Sequence, residues 1–173
     1  MAFPYSSGGV LTAADLNQSS GLVFVKTQTI GAGVASVTVT GAFSSTFDNY
    51  RILIDVAGVN VSSDGIFMQL GATTSGYNWA STATSDNAAI GFYVTPADSS
   101  GPGICAVDLF SPNLAQRTVA LSHGIFGRAN AVGYFSSSGL LPNTTQYTAF
   151  TLRPTSPNTL DGGTIKVYGY NNG

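Results

Sequence analysis

Tyr50-Arg51-Ile52-Leu53-Ile54-Asp55-Val56 is the stretch from which the fold is read. Side chains alternate across a strand, so Tyr50, Ile52, Ile54 and Val56 share one face while Arg51 and Asp55 take the other. An apolar face backed by a charged one is the mark of a sandwich strand with one side in water. The same faces predict an interior containing Tyr50, Ile52, Ile54, Val56, Ile165 and Val167.

Outward from this stretch, short runs rich in Val, Ile, Thr, Tyr and Phe recur over 22–30, 34–40, 66–70, 90–94, 104–110, 118–125, 131–135, 147–152 and 164–170. Between them lie clusters of Gly, Ser, Asn, Asp and Pro. Asp64-Gly65 and Asp161-Gly162-Gly163 supply residues that tolerate positive φ, and each is expected to reverse the chain before a strand. Pro96, Pro102, Pro112, Pro142, Pro154 and Pro157 all fall in the expected loops, as central strands require. Helical periodicity is absent from Gly21 onward, so crossover helices have no candidate segments. The expected fold is all-β: a two-sheet antiparallel β-sandwich, jelly-roll-like, over 21–173, preceded by a short N-terminal arm over 1–20.

A chain of 173 residues fits one domain and can bury a core without disulfides. Only 8% of its residues are charged, against roughly 25% in an ordinary soluble domain, so Ser, Thr, Asn and Gly must build the surface. Such a surface repels its own copies weakly. Net charge is -2 and the six basic residues are scattered singly, so no basic stripe exists for nucleic acid. No apolar run approaches the ~20 residues of a spanning helix, and membrane insertion is not expected. The opening residues lack a basic start followed by an apolar run, so the chain is expected to be made in a cytoplasm without signal-directed export.

The first 20 residues read differently. Gly8-Gly9 forms a flexible joint, and Thr12 is a plausible N-cap for one turn of helix. Phe3, Tyr5, Val10, Leu11 and Leu16 make an apolar series too short to bury itself. It must pack on the sandwich or on another chain, and the role expected of it is assembly or anchoring on a neighbouring chain.

Chemistry-bearing residues are sparse. One cysteine, Cys105, and one histidine, His123, offer neither a disulfide nor a multi-ligand metal site, so no cofactor is expected. Cys105 reads as a small apolar strand residue. His123 alternates in step with Val119, Leu121 and Ile125 and is expected as a partly buried, hydrogen-bonded strand histidine. No Gly-x-Ser-x-Gly elbow surrounds a serine, all eight acidic residues are Asp, and no Asp-x-Asp-x-Asp spacing occurs. Catalytic residues are therefore expected to be none. Ser75-Gly76-Tyr77-Asn78-Trp79 leaves two readings open: Tyr77, Asn78 and Trp79 contact a glycan from an exposed loop, or the tryptophan tucks over the end of the sandwich.

Three segments carry a family resemblance. Gly9-Val10-Leu11-Thr12-Ala13-Ala14-Asp15-Leu16-Asn17 resembles the start of phage fibre proteins. Phe47-Asp48-Asn49-Tyr50-Arg51-Ile52 resembles an early strand of phage jelly-roll domains, and Gly163-Thr164-Ile165-Lys166-Val167-Tyr168-Gly169-Tyr170 resembles their last strand. The chain is thus similar to virion structural proteins of tailed bacteriophages, of the tail-fibre or head-decoration type. The resemblance implies a virion location, homotrimers, an N-terminal part attached to other virion proteins, and an outward body that could meet a host surface glycan. The sequence has no coiled-coil or repeat shaft, unlike long fibres. A free carbohydrate-binding module is the alternative outside this class.

Overall fold

The computed structural model describes residues 21–82, 84–128 and 131–172, and Phe3, Tyr5, Val10, Leu11 and Leu16 lie outside them. Among the described residues there are twelve strands and no helix. They are β1 (Leu22–Val34), β2 (Val37–Val39), β3 (Asn49–Val56), β4 (Asp64–Leu70), β5 (Tyr77–Ser81), β6 (Ser85–Ala89), β7 (Phe92–Ala97), β8 (Gly103–Phe110), β9 (Thr118–Arg128), β10 (Ala131–Leu141), β11 (Phe150–Arg153) and β12 (Leu160–Tyr170). One sheet has the order β1-β12-β3-β8-β9-β10-β5-β6 and the other β2-β11-β4-β7, all pairs being antiparallel. The pairings of β1 with β12 and β2 with β11 nest the two ends of the chain together, as in a jelly roll. The fold is the expected antiparallel β-sandwich.

Its core lies between the sheets. Tyr50, Ile52, Ile54 and Val56 of β3 and Ile165 and Val167 of β12 are each at most 1% exposed, and the opposing small sheet contributes Ile66, Met68, Leu70, Phe150 and Leu152. The Tyr50 hydroxyl is satisfied at the margin: it donates to the Ser44 carbonyl (2.9 Å) and accepts from the Ser44 N–H (2.7 Å). Phe43 packs edge-on against Tyr50 and stacks on Phe150.

At one side the two sheets approach unusually closely. Strand β7, the edge of the small sheet, has Cα atoms within 8 Å of those in β9 and β10, where facing sheets usually stand ~10 Å apart. Small inward residues permit this. A Cβ at Gly103 would stand 2.7 Å from the Pro96 carbonyl oxygen, and one at Gly139 would stand 2.4 Å from the Phe92 ring. Ser122 and Ser137, both buried, donate their hydroxyls to the carbonyls of Val94 and Tyr93 in β7. These bonds satisfy polar groups that would otherwise be costly to bury.

Several local expectations are corrected. Asp161-Gly162-Gly163 does not reverse the chain but runs inside β12, where Gly162 and Gly163 have φ of 112° and 130°. A Cβ at Gly163 would stand 2.0 Å from the Asp55 carbonyl oxygen, so the glycine serves close strand contact. Pro96 lies in β7, not in a loop; as an edge strand, β7 can lack one backbone donor. The polar run Ser85-Asp86-Asn87 belongs to β6, an outer edge with no apolar face to announce it. His123 is exposed, because β9 turns Ala120 and Ser122 inward and Leu121, His123 and Ile125 outward.

The register of β3 makes a direct prediction. Ile54→Ala should destabilise the chain by about 2–5 kcal/mol, whereas Leu53→Ala, on the outer face, should cost under about 1 kcal/mol. Denaturant unfolding of both variants checks this, and equal losses would contradict the register.

Candidate functional site

The outward face of the large sheet carries the most unusual surface of the molecule. Register places its outer side chains in rows across the strands. One row runs Thr29, Thr164, Asp55, Ile104, Ile125, Tyr134, and the next Thr27, Lys166, Leu53, Ala106, His123, Ser136. A third runs Phe24, Tyr168, Arg51, Asp108, Leu121, Ser138, Ala80. Ile104, Ile125 and Tyr134 therefore adjoin one another, exposed by 42%, 48% and 69%, with Leu53 (40%) diagonal to Ile104; Leu121 (44%) stands apart in the third row, beyond His123. Val132 extends them at 75% exposure. Exposed apolar side chains gathered on one face are what interaction surfaces of proteins present.

A polar cluster bounds this patch. Arg51 donates from Nε to Asp108 Oδ1 (2.8 Å) and from Nη2 to Oδ2 (2.7 Å), and the Tyr170 hydroxyl donates to Oδ1 (2.6 Å). Burial disfavours the Asp108 carboxylate, but the hydrogen bonds from Arg51 and Tyr170 outweigh it and hold the carboxyl below its ordinary range. The Asp108 hydrogen bond likewise raises Arg51 despite partial burial. Both oxygens of the Asp108 carboxylate are thus engaged by neighbouring donors. On the opposite flank, Ser81, Thr82, Ser136 and Ser138 line a shallow hydroxyl-rich trough beside His123 and Tyr134.

The residues singled out by sequence are not gathered here. Tyr77 lies in β5, not in a loop, and is fully buried; its hydroxyl donates to the Thr73 carbonyl (3.0 Å) and accepts from the Leu70 N–H (2.7 Å). It cannot stack on a glycan. Trp79 follows on the same inward side, with rings of Phe67 and Tyr93 around it and its indole nitrogen buried, so the tucked reading describes it. Asn78 sits on the opposite face, beside Leu140. Cys105 is buried in β8, and burial pushes its thiol up to about 12. No group of three or more His, Cys, Asp or Glu side chains with metal-holding geometry occurs among the described residues. The apolar outer patch itself is not among the expected site residues, because Val119, Leu121 and Ile125 read most simply as core.

No family model and no curated protein sequence matches the chain. Among solved structures it is similar to a galectin of Caenorhabditis elegans at 10% identity, covering 84% of this chain and 95% of that one, with a TM-score of 0.35. It is also similar to the exo-inulinase of Aspergillus awamori at 15% identity and a TM-score of 0.36, covering 86% of this chain but 28% of the enzyme. A botulinum neurotoxin type C structure follows at 11% identity and a TM-score of 0.30, covering 84% of this chain and 39% of that one.

Two predictions follow from the side-chain chemistry. Because the Asp108 pKa is depressed on folding, its contribution is present above the ordinary value of 3.8 and lost as pH falls through the folded value. The stability gap between the native chain and Asp108→Asn should therefore be constant from about pH 5 upward and shrink below about pH 4, measured by urea unfolding across pH. The Cys105 thiol should resist iodoacetamide at pH 8 in the folded chain and react on unfolding. Labelling of the folded chain, followed by mass spectrometry, would show the opposite if the strand opened readily.

Proposed function

We propose that this chain is a non-enzymatic structural subunit on the exterior of a tailed-phage virion, at a tail-fibre or capsid-decoration position, working as a homo-oligomer. The observation that carries the reading is the apolar patch of Leu53, Ile104, Ile125, Tyr134 and Val132 facing outward from a sandwich whose core is already complete. Such a patch gains by being covered, and a chain with 8% charged residues offers little repulsion to oppose it. The resemblance of the opening, β3 and closing segments to phage virion proteins supplies the setting. The trimer is the oligomer that this resemblance favours.

A second reading, a carbohydrate-binding module, is favoured by the trough of Ser81, Thr82, Ser136 and Ser138 beside His123 and the exposed Tyr134 ring. An aromatic face with adjacent hydroxyl groups suits a pyranose. The two readings use the same face and so compete: a face covered by protein is closed to sugar.

Mass spectrometry of density-purified particles tests the first reading. The chain should be recovered in a fixed ratio to the capsid protein, and a high ratio would place it in decoration, a low one in a fibre. Its absence from particles, together with binding of the isolated chain to a glycan array that Tyr134→Ala abolishes, would replace this reading with the second.

A further inference from the structure

We infer that the cleft at the end of the sandwich where β4 begins and β9 ends, lined by Ser63, Thr82, Tyr93 and Arg128, is a binding site for one neutral sugar ring. The inference deepens the carbohydrate reading above and rests on it for the class of ligand. It assigns a different site from the trough. Of Leu53, Ile104, Ile125, Val132 and Tyr134 on the outer patch, only Tyr134 lines the cleft.

The cleft has a volume of about 470 Å³, within the range of roughly 300–1,000 Å³ that holds small molecules. Its walls are fixed before a ligand arrives. The Tyr93 ring lies against Gly65, where a Cβ would stand 2.5 Å from it, and packs among the rings of Phe67, Trp79 and Phe135. Phe126 lies against Gly133, where a Cβ would stand 2.2 Å from the ring, and the Arg128 guanidinium stands 5.1 Å from the Phe126 centroid. Arg128 also donates from Nη2 to Ser63 Oγ (3.1 Å), and its Nε lies 3.9 Å from Asp98 Oδ2. A guanidinium held in this way loses little freedom when a ligand takes another of its donors.

The polar groups select a neutral ligand rich in hydroxyls. Arg128 is offset by Asp98, and Asp64 Oδ2 accepts from the Thr155 N–H (3.0 Å) and from Asn158 Nδ2 (2.8 Å). With these carboxylates near one guanidinium, neither an anion nor a cation finds an unopposed charge. Among the described residues no hydrogen bond engages Arg128 Nη1 or the side-chain hydroxyls of Thr82, Thr84, Tyr93 and Tyr134, all of which line the cleft. Burial and the Asp64 carboxylate push the Tyr93 pKa up, so its hydroxyl keeps its proton and can donate. Hydroxyls that both donate and accept, beside one group that only donates, match a ring bearing hydroxyls on several sides. An apolar ligand would bury them unpaired. The exposed Tyr134 ring supplies the face on which the C–H side of a sugar stacks.

Titration of the isotope-labelled full-length chain with the methyl glycosides of glucose, galactose, mannose and N-acetylglucosamine, followed by NMR, tests this. At least one glycoside should first shift the amide signals of residues 63–65, 82, 84 and 128. Tyr93→Phe removes one hydroxyl and keeps the packed ring, and it should weaken that glycoside about three- to tenfold. Arg128→Gln should weaken it at least as much, while Thr38→Ala, on the outer face of the small sheet, should leave it unchanged. An affinity that neither Tyr93→Phe nor Arg128→Gln alters would overturn the inference. Shifts centred on residues 136–138, with Ser138→Ala and not Tyr93→Phe weakening the sugar, would also overturn it but leave the carbohydrate reading standing in the trough. No shift with any of the glycosides at high millimolar concentration would remove both.

Discussion

The approach of β7 to the inner face of β8, β9 and β10 constrains everything that the large sheet presents to solvent. With the strands this close, most inward positions at the contact hold small side chains, Gly103, Ala120, Ser122, Ser137 and Gly139, and the large exception, Phe135 of β10, packs edge-on against Tyr93 of β7. The serines use the closeness, their hydroxyls meeting carbonyls of β7. An edge strand that would otherwise expose open backbone groups is thereby closed against the opposing sheet, which removes one site for uncontrolled strand pairing. The consequence reaches the other side of the sheet, because successive residues of a strand alternate faces and the large apolar residues of β9 are left with the outer one.

This inversion explains which parts of the structure were legible in the sequence. Strands β3 and β8 sit mid-sheet, and in β3 and β12 the apolar phase coincides with the core phase, so Tyr50, Ile52, Ile54, Val56, Ile165 and Val167 could be placed correctly from period two alone. Periodicity reports alternation, and the phase is assigned by assuming that the more apolar face is buried. In β9 that assumption fails, since Val119, Leu121 and Ile125 oppose Thr118, Ala120 and Ser122 and only the latter are inward. His123, drawn into the interior with its apolar companions, belongs on the surface with them. The small residues Ala120, Ser122 and Gly124 at every second position were the available signal for close sheet contact.

Other misreadings have separate causes. Tyr77 and Trp79 sit among Gly, Ser and Thr, the composition of a loop, yet alternation with Asn78 already sends both rings to one face. Their aromatic neighbours Phe92, Phe67 and Tyr93 come from strands distant in sequence, and no local feature announces them. The glycine pair in β12 reads as a turn because positive φ usually serves one. Here it lets the strand pass close to the backbone of β3, a demand that only the assembled sheet creates.

The two unusual properties of the chain, scarce charge and an apolar outer face, bear on each other. Exposed apolar area on a highly charged protein is kept apart from other copies by net charge and by charged neighbours, and here both are nearly missing. Charge on the outer face is sparse, with Asp55 and Lys166 beside Ile104 and Leu53, and with Arg51 and Asp108 locked into a pair in the next row. That placement resembles the polar rim around the apolar centre of a protein interface. A rim built from a rigid bidentate pair costs little ordering entropy when a partner arrives, because Arg51, Asp108 and Tyr170 already hold one another in place. The same sheet therefore supplies a core on one side and a preorganised contact surface on the other, and the crowding beneath β7 sets the division between them.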